Sequence, residues 1–110
     1  MVENDKTKMM EIALQVILYA GNARDMVSKA LNAAYNDDFT LAGEMIANAE
    51  EEARKAHRIQ TEIVQSEANG KQSEFSLLVT HSQDTLMVSL SEINMAKQMI
   101  KMYQKISELK

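Results

Sequence analysis

Cysteine is absent from the 110 residues, which excludes disulfides, thiolate nucleophiles and thiolate metal sites together. Proline and tryptophan are absent too, and glycine occurs only three times, so the chain has few turn formers to interrupt it. No apolar run approaches the ~20 residues of a membrane span, and the polar opening Met1-Val2-Glu3-Asn4-Asp5-Lys6 is not a signal peptide. Positive charge is also scarce. The 12 Lys and Arg are scattered among 16 Asp and Glu for a net charge of −4, leaving no basic surface for nucleic acid or anionic lipid. These absences predict a cytoplasmic protein that neither binds nucleic acid nor inserts into a membrane.

The chain does hold nine Met, many Ala and an ordinary hydrophobic fraction of 45%, in a length that builds one core. The expectation is a single all-α domain over 1–110, helical nearly end to end. From about Asp5 to Ala34, apolar residues recur in threes and fours at Met9, Ala13, Val16, Ala20, Ala23, Val27, Ala30 and Ala34, which is one face of a long helix. Its neighbouring stripe begins apolar at Met10, Leu14 and Ile17, turns polar at Gly21, Arg24 and Ser28, and returns to Leu31. Gly21 in a helix costs ~1 kcal/mol relative to Ala, and its presence points to a close helix approach or to room for a ligand. Arg24 reads as a surface guanidinium or as an oxyanion contact.

A first break at Tyr35-Asn36-Asp37-Asp38-Phe39 offers Asp37 or Asp38 as the N-cap of a second helix, which runs to about Ala68. The charge run Glu50 to Arg58 is its solvated face. A second break at Asn69-Gly70-Lys71-Gln72-Ser73 has Gly70 suited to a helix end and Ser73 to an N-cap, and a third helix follows from about Glu74 to Glu108. Three helices of about 30 residues joined by short connections give an up-down-up antiparallel bundle.

The third helix has two apolar faces. At 100° per residue, Leu77, Ser91, Met95 and Met102 fall within about 20° of Asp84 with Val88 beside them, while His81 lies about 60° away. Phe75, Val79, Leu86, Leu90, Ile93 and Ile100 occupy the opposite side. A three-helix monomer buries only one of these stripes, so the second predicts assembly through the third helix. Symmetry would then gather several copies of Asp84 in a poorly solvated seam, where protons or a hard divalent cation such as Mg²⁺ must neutralise them. The plainer alternative is a surface carboxylate on a stripe that packs loosely against the other helices.

Routes to chemistry are few. There is no H-E-x-x-H, no pair of His at metal-ligand spacing, no G-x-S-x-G and no phosphate-cradling glycine loop. A single imidazole can still serve as a nucleophile that holds a group covalently, because near neutral pH one ring nitrogen has a free lone pair. His57 sits in the charged stretch of the second helix, whereas His81 flanks the apolar seam next to a carboxylate, at the edge where subunits would meet. His81 is the stronger candidate, with Gln83 as the best candidate for a hydrogen bond to the imidazole or to the group it holds, and Arg24 as a further support if a neighbouring subunit presents it.

Several blocks then carry a resemblance: Ala20-Gly21-Asn22-Ala23-Arg24, the Asp37-Asp38-Phe39 turn, Ala56-His57-Arg58-Ile59-Gln60-Thr61, Glu67-Ala68-Asn69-Gly70, and Leu78-Val79-Thr80-His81-Ser82-Gln83-Asp84-Thr85-Leu86-Met87. From about Ile12 to Ile106 the chain resembles the IIA component of the lactose/cellobiose family of the bacterial phosphoenolpyruvate-dependent sugar phosphotransferase system. The resemblance implies that His81 accepts a phosphoryl group from phospho-HPr and passes it to a Cys of the cognate IIB component during uptake of a β-linked disaccharide. It also implies a homotrimer of three-helix subunits, with Asp84 meeting its symmetry mates at the axis and binding Mg²⁺ or a similar cation. This chain departs from the common pattern His-Ala-Gln-Asp-His-Leu-Met in having Ser82 for Ala and Thr85 for the second His, with Thr80 where an aliphatic residue is usual. The alternative from another class is a trimeric helical interaction or regulatory module without transfer activity.

Overall fold

Three long helices make up the fold in a computed structural model that describes residues 2–68 and 77–110. Helix α1 covers Val2–Tyr35, α2 Phe39–Ala68 and α3 Leu77–Glu108, and together they form a rod of 63 × 19 × 19 Å. The expected second turn at Asn69–Ser73, and the expected start of the third helix near Glu74, lie outside the described residues. Lys55 of α2 sits over the ring of Tyr19 at 5.6 Å, and Ala42 shares a cluster with Ala33 and Ala34. These pairs run α1 and α2 antiparallel. Arg24 pairs with Glu92 and Val16 packs with Leu86, so α3 runs parallel to α1.

The turn between α1 and α2 is built from hydrogen bonds that spend the last carbonyls of α1. Asp38 N–H donates to Ala33 O at 2.9 Å and Asp37 N–H to Ala34 O at 3.0 Å, the Schellman pairing, with Asp37 in the left-handed region at φ 62°. Asp38 then caps α2 by accepting from Leu41 N–H at 3.1 Å. The two candidate caps therefore divide the work. A non-glycine residue in the left-handed region costs about 1 kcal/mol, and the exposed Asp37–Lys110 pair returns little of it. Asp37→Gly is expected to raise stability by about 1 kcal/mol, a Tm gain of a few degrees in thermal unfolding.

The core is made of small residues. Of the buried apolar residues described, eleven are Ala, and the larger ones are Val16, Val27, Ile46, Ile63, Leu86 and Ile93. Alanine faces let helix axes approach closely, and Ser82 and Ser89 are also fully buried. Their hydroxyls donate to their own helix, to Val79 O at 2.6 Å and Leu86 O at 2.7 Å. Gln60 is the exception, buried on α2 with no partner for Oε1 among the described residues. An orphaned acceptor costs about 1–3 kcal/mol, so the near-isosteric Gln60→Met is expected to raise the urea midpoint with an unchanged m-value.

A core this slim leaves the large apolar side chains outside. Met10, Leu14 and Leu18 of α1 are exposed, as are Leu77, Met87, Val88, Met95, Met99, Met102 and Ile106 of α3, whereas α2 contributes only Leu41 among the described residues. The outer face of α2 is charged as its sequence predicts, with Arg54 3.1 Å from Glu51 and Arg58 3.5 Å from the same carboxylate. Gly21 departs from expectation in one respect. A Cβ built there meets nothing within 4 Å, so close packing inside the chain is not what its lack of a side chain serves.

Candidate functional site

The site is set by the helical phase of α3. With Asp84 at zero, every exposed large apolar residue of α3 from Leu77 to Ile106 falls within about 60°, and Asp84 is itself exposed in the middle of that stripe. The core residues Leu86, Ile93 and Ala96 occupy the other side. Two ion pairs orient the helix. Arg24 of α1 donates from Nε to both carboxylate oxygens of Glu92 at 3.1 Å, and Lys97 donates to Glu50 of α2 at 2.7 Å. Glu92 marks the flank toward α1, and Lys97 the flank toward α2.

His81 projects on the α1 flank, exposed, at the rim of the stripe. Its backbone carbonyl accepts the Thr85 hydroxyl at 2.8 Å, so Thr85 spends its donor on the helix rather than on the imidazole. Ser82 is fully buried with its hydroxyl on Val79 O. It faces inward, away from the surface His81 presents. His57 lies exposed on α2, its carbonyl accepting the Thr61 hydroxyl at 2.9 Å.

Gln83 is half-buried, and residues two apart on a helix do not face one another. It lies on the α2 flank, about 160° around α3 from His81, so a single chain does not bring the two together. Arg24 is likewise held elsewhere. Glu92, about 16 Å beyond His81 along α3, takes its guanidinium by a hydrogen bond and by charge, and this raises the Arg24 pKa above its ordinary value. Glu92 was not singled out as a partner from sequence. Its signal was an Arg in the polar stretch of the α1 stripe and an acid on the edge between the two apolar faces of α3, but pairing them needs the register of α1 on α3, which periodicity does not supply.

The surface is shallow near these groups. A groove of about 250 Å³ between α1 and α3 is lined by Arg24, Ser28, Leu31, Glu92, Met95 and Met99, among others. A larger dent of about 410 Å³, lined by Phe39, Gln104, Ser107 and Glu108, lies at the opposite end of the rod, about 35 Å from His81 along α3. Neither encloses a small molecule, and among the described residues no three His, Asp or Glu side chains converge as metal ligands. No described helix is long and apolar enough to cross a membrane. Among the described residues neither groove includes His81 in its lining, and an accessible imidazole on a rigid helix is suited to chemistry with a group that another macromolecule presents.

Comparison with known proteins places these features in one family. Residues 11–104 match the family described as "PTS system, Lactose/Cellobiose specific IIA subunit". The chain is 41% identical over 101 residues to the lichenan-specific phosphotransferase enzyme IIA component of Bacillus subtilis, covering 92% of each. It is 34% identical over 104 residues to the lactose-specific EIIA component of Lacticaseibacillus casei, covering 94% of this chain and 93% of that one. Among solved structures it superposes on the cellobiose-specific enzyme IIA of Bacillus anthracis with a TM-score of 0.87 and 38% identity, over 89% of this chain and 90% of the other. It also superposes on a structure from the IIA(Chitobiose)–HPr complex of the Escherichia coli N,N′-diacetylchitobiose branch, with a TM-score of 0.80 and 26% identity over 90% and 96% of the two chains. An all-α three-helix bundle is thus common to these proteins and this one, and the chain belongs to the lactose/cellobiose-specific IIA family, the phosphotransferase components of sugar uptake.

Proposed function

We propose that this chain is a cytoplasmic phosphocarrier, a single IIA domain over 1–110, in which His81 takes a phosphoryl group from phospho-HPr and gives it to a Cys of the cognate IIB component. The observation that carries the reading is the exposed imidazole of His81 at the rim of an unpartnered apolar stripe, in a chain whose relative was solved in complex with HPr. In the first step a neutral ring nitrogen of His81 forms a P–N bond as the P–N bond of the donor phosphohistidine breaks. His81 loses a proton and the departing imidazole gains one. In the second, a thiolate forms an S–P bond as the P–N bond of His81 breaks, and the departing imidazole takes back a proton, the one released when the thiol ionised. Both steps exchange one nucleophile for another at phosphorus, so the protein's task is positioning and charge stabilisation.

The exposed stripe supports a homotrimer joined through α3. Stripe and α1 ladder together expose on the order of 1,000 Å² of apolar surface, well above the ~300–600 Å² of the largest patch on a typical monomer and enough for a standard interface. A single Asp84 does not make a metal site, but one carboxylate from each of three copies fits a hard divalent cation such as Mg²⁺. When bound, that cation would neutralise the seam and offset the ~−1.5 to −2 charges that phosphorylation brings. The trimer also gives Gln83 a route to the site, because rotation brings the α2 flank of one α3 toward the α1 flank of the next. Arg24 keeps a supporting role only if the neighbouring copy draws it from Glu92.

The test is reconstitution. Incubation with phosphoenolpyruvate, the general phosphotransfer protein and HPr should yield acid-labile phosphate on the chain, which a IIB component then removes. A chain that stays unlabelled, or keeps its label in the presence of IIB thiol, contradicts the reading.

A further inference from the structure

His81 and Thr85 stand one helical turn apart on the same flank of α3, a spacing at which Cβ atoms are about 5–6 Å from each other. A helical side chain leans back over the turn that precedes it, so half-buried Thr85 sits on the C-terminal side of the exposed His81 ring. The hydroxyl of Thr85 is already committed as a donor, to His81 O at 2.8 Å. A hydroxyl has one proton and two lone pairs. What Thr85 still offers its neighbour is therefore acceptor capacity alone. Among the described residues no side chain holds the imidazole in another direction, and an exposed ring is free to turn between rotamers.

A neutral imidazole has one N–H and one bare nitrogen, and the partner of one nitrogen decides the state of the other. Facing a group that can only accept, the nearer nitrogen carries the proton. The nearer one is Nδ1, next to the ring carbon that joins the side chain, while Nε2 lies at the far edge. We propose that Thr85 Oγ1 accepts the His81 Nδ1–H and so keeps Nε2 bare for attack on phosphorus. Thr85 is then a positioning residue that acts through the imidazole and not on the phosphoryl group. As Nε2 forms its P–N bond the ring becomes cationic, and the hydrogen bond to Thr85 becomes charge-assisted and stronger. That gain is made in the transition state and not in the ground state. The electron pair of the broken P–N bond leaves with the donor imidazole, and the Nδ1 proton is the one His81 gives up. The inference rests on the phosphocarrier reading above. The same local geometry recurs once, on α2, where Thr61 donates to His57 O at 2.9 Å. It supplies an internal control away from the stripe.

The experiment is a proton–nitrogen correlation spectrum of the imidazoles in the isotope-labelled full chain, recorded where both rings are neutral. It is paired with the initial rate of phosphoryl uptake from phospho-HPr, and far-UV circular dichroism confirms that each variant remains helical. Wild-type His81 is expected predominantly in the Nδ1–H form. Thr85→Val keeps the branched shape and removes the hydroxyl. His81 should then revert to the Nε2–H form that free imidazole side chains favour, and uptake should slow by about tenfold. Thr85→Ser should bring back the Nδ1–H form and a rate within about threefold of wild type. Thr61→Val removes the corresponding hydroxyl beside His57 and should leave uptake unchanged. Wild-type His81 in the Nε2–H form, or a tautomer that Thr85→Val does not move, overturns the inference. So does a change of tautomer without a change of rate, or an equal loss of rate in Thr61→Val. The spectrum needs no phosphate. A wild-type chain that takes up no phosphoryl group while its His81 tautomer follows Thr85 therefore contradicts the carrier reading and upholds the hydrogen bond.

Discussion

Replacing His81 by Ala abolishes phosphoryl uptake from phospho-HPr, lowering the rate by at least about 10³-fold, as expected when the covalent nucleophile itself is removed. The chain has one other imidazole, His57, and no thiol. His57 lies exposed on α2, away from the stripe, where its carbonyl takes a hydrogen bond from Thr61. His57→Ala is therefore expected to transfer at close to the wild-type rate. His81→Gln keeps a polar side chain at the rim without a nucleophilic nitrogen, and should be as inactive as His81→Ala while remaining folded and assembled. Stopped-time labelling at several HPr concentrations separates loss of chemistry from loss of docking. An inactive variant that still competes with wild type for HPr has lost only the nucleophile.

The second large effect belongs to Asp84. Asp84→Lys places a cation at the centre of the exposed apolar stripe, and three such charges facing one axis cannot be paired or hydrated cheaply. Association is expected to weaken by more than about 100-fold, read as monomer by sedimentation at concentrations where wild type is assembled. Asp84→Asn removes the charge and keeps the shape. It should hold the assembly together and abolish any response of its stability to chelation, whereas wild type should lose thermal stability when divalent cation is removed. An Asp84→Lys chain with unchanged mass would contradict the seam.

Most of the fold was legible because helical periodicity is a local signal. The Ala-rich stripe from Ala13 to Ala34 fixed the buried face of α1, and turn chemistry at Tyr35–Phe39 located the first connection. Which acid caps which helix was not legible. Asp37 takes the left-handed position and Asp38 the N-cap, and side-chain chemistry alone does not separate two adjacent Asp. The two apolar faces of α3 were also readable, since burial of Leu86 and Ile93 and exposure of Met95 and Met102 follow the wheel.

What sequence could not supply was register between helices. Arg24 reads as a surface guanidinium or as an oxyanion contact until α3 is placed beside α1, and then Glu92 takes it. Gly21 reads as a close-packing glycine until the neighbouring helix is found to stand clear of it. Ser82 and Thr85, two of the three departures from the family pattern, turn out to spend their hydroxyls on the backbone of α3. Ser82 is buried away from the surface that His81 presents, while Thr85 lies one turn from His81 on the same flank.

The most direct measurement is localisation of the phosphate. After incubation with phosphoenolpyruvate, the general phosphotransfer protein and HPr, the chain is digested at neutral to alkaline pH, where a P–N bond survives, and the phosphopeptide is fragmented by tandem mass spectrometry. The expected result is one phosphoryl group on the peptide containing Leu77–Met87, assigned to His81 and lost on brief acid treatment. Phosphate on His57, acid-stable phosphate on Ser82 or Thr85, or no phosphate on the chain would contradict the account.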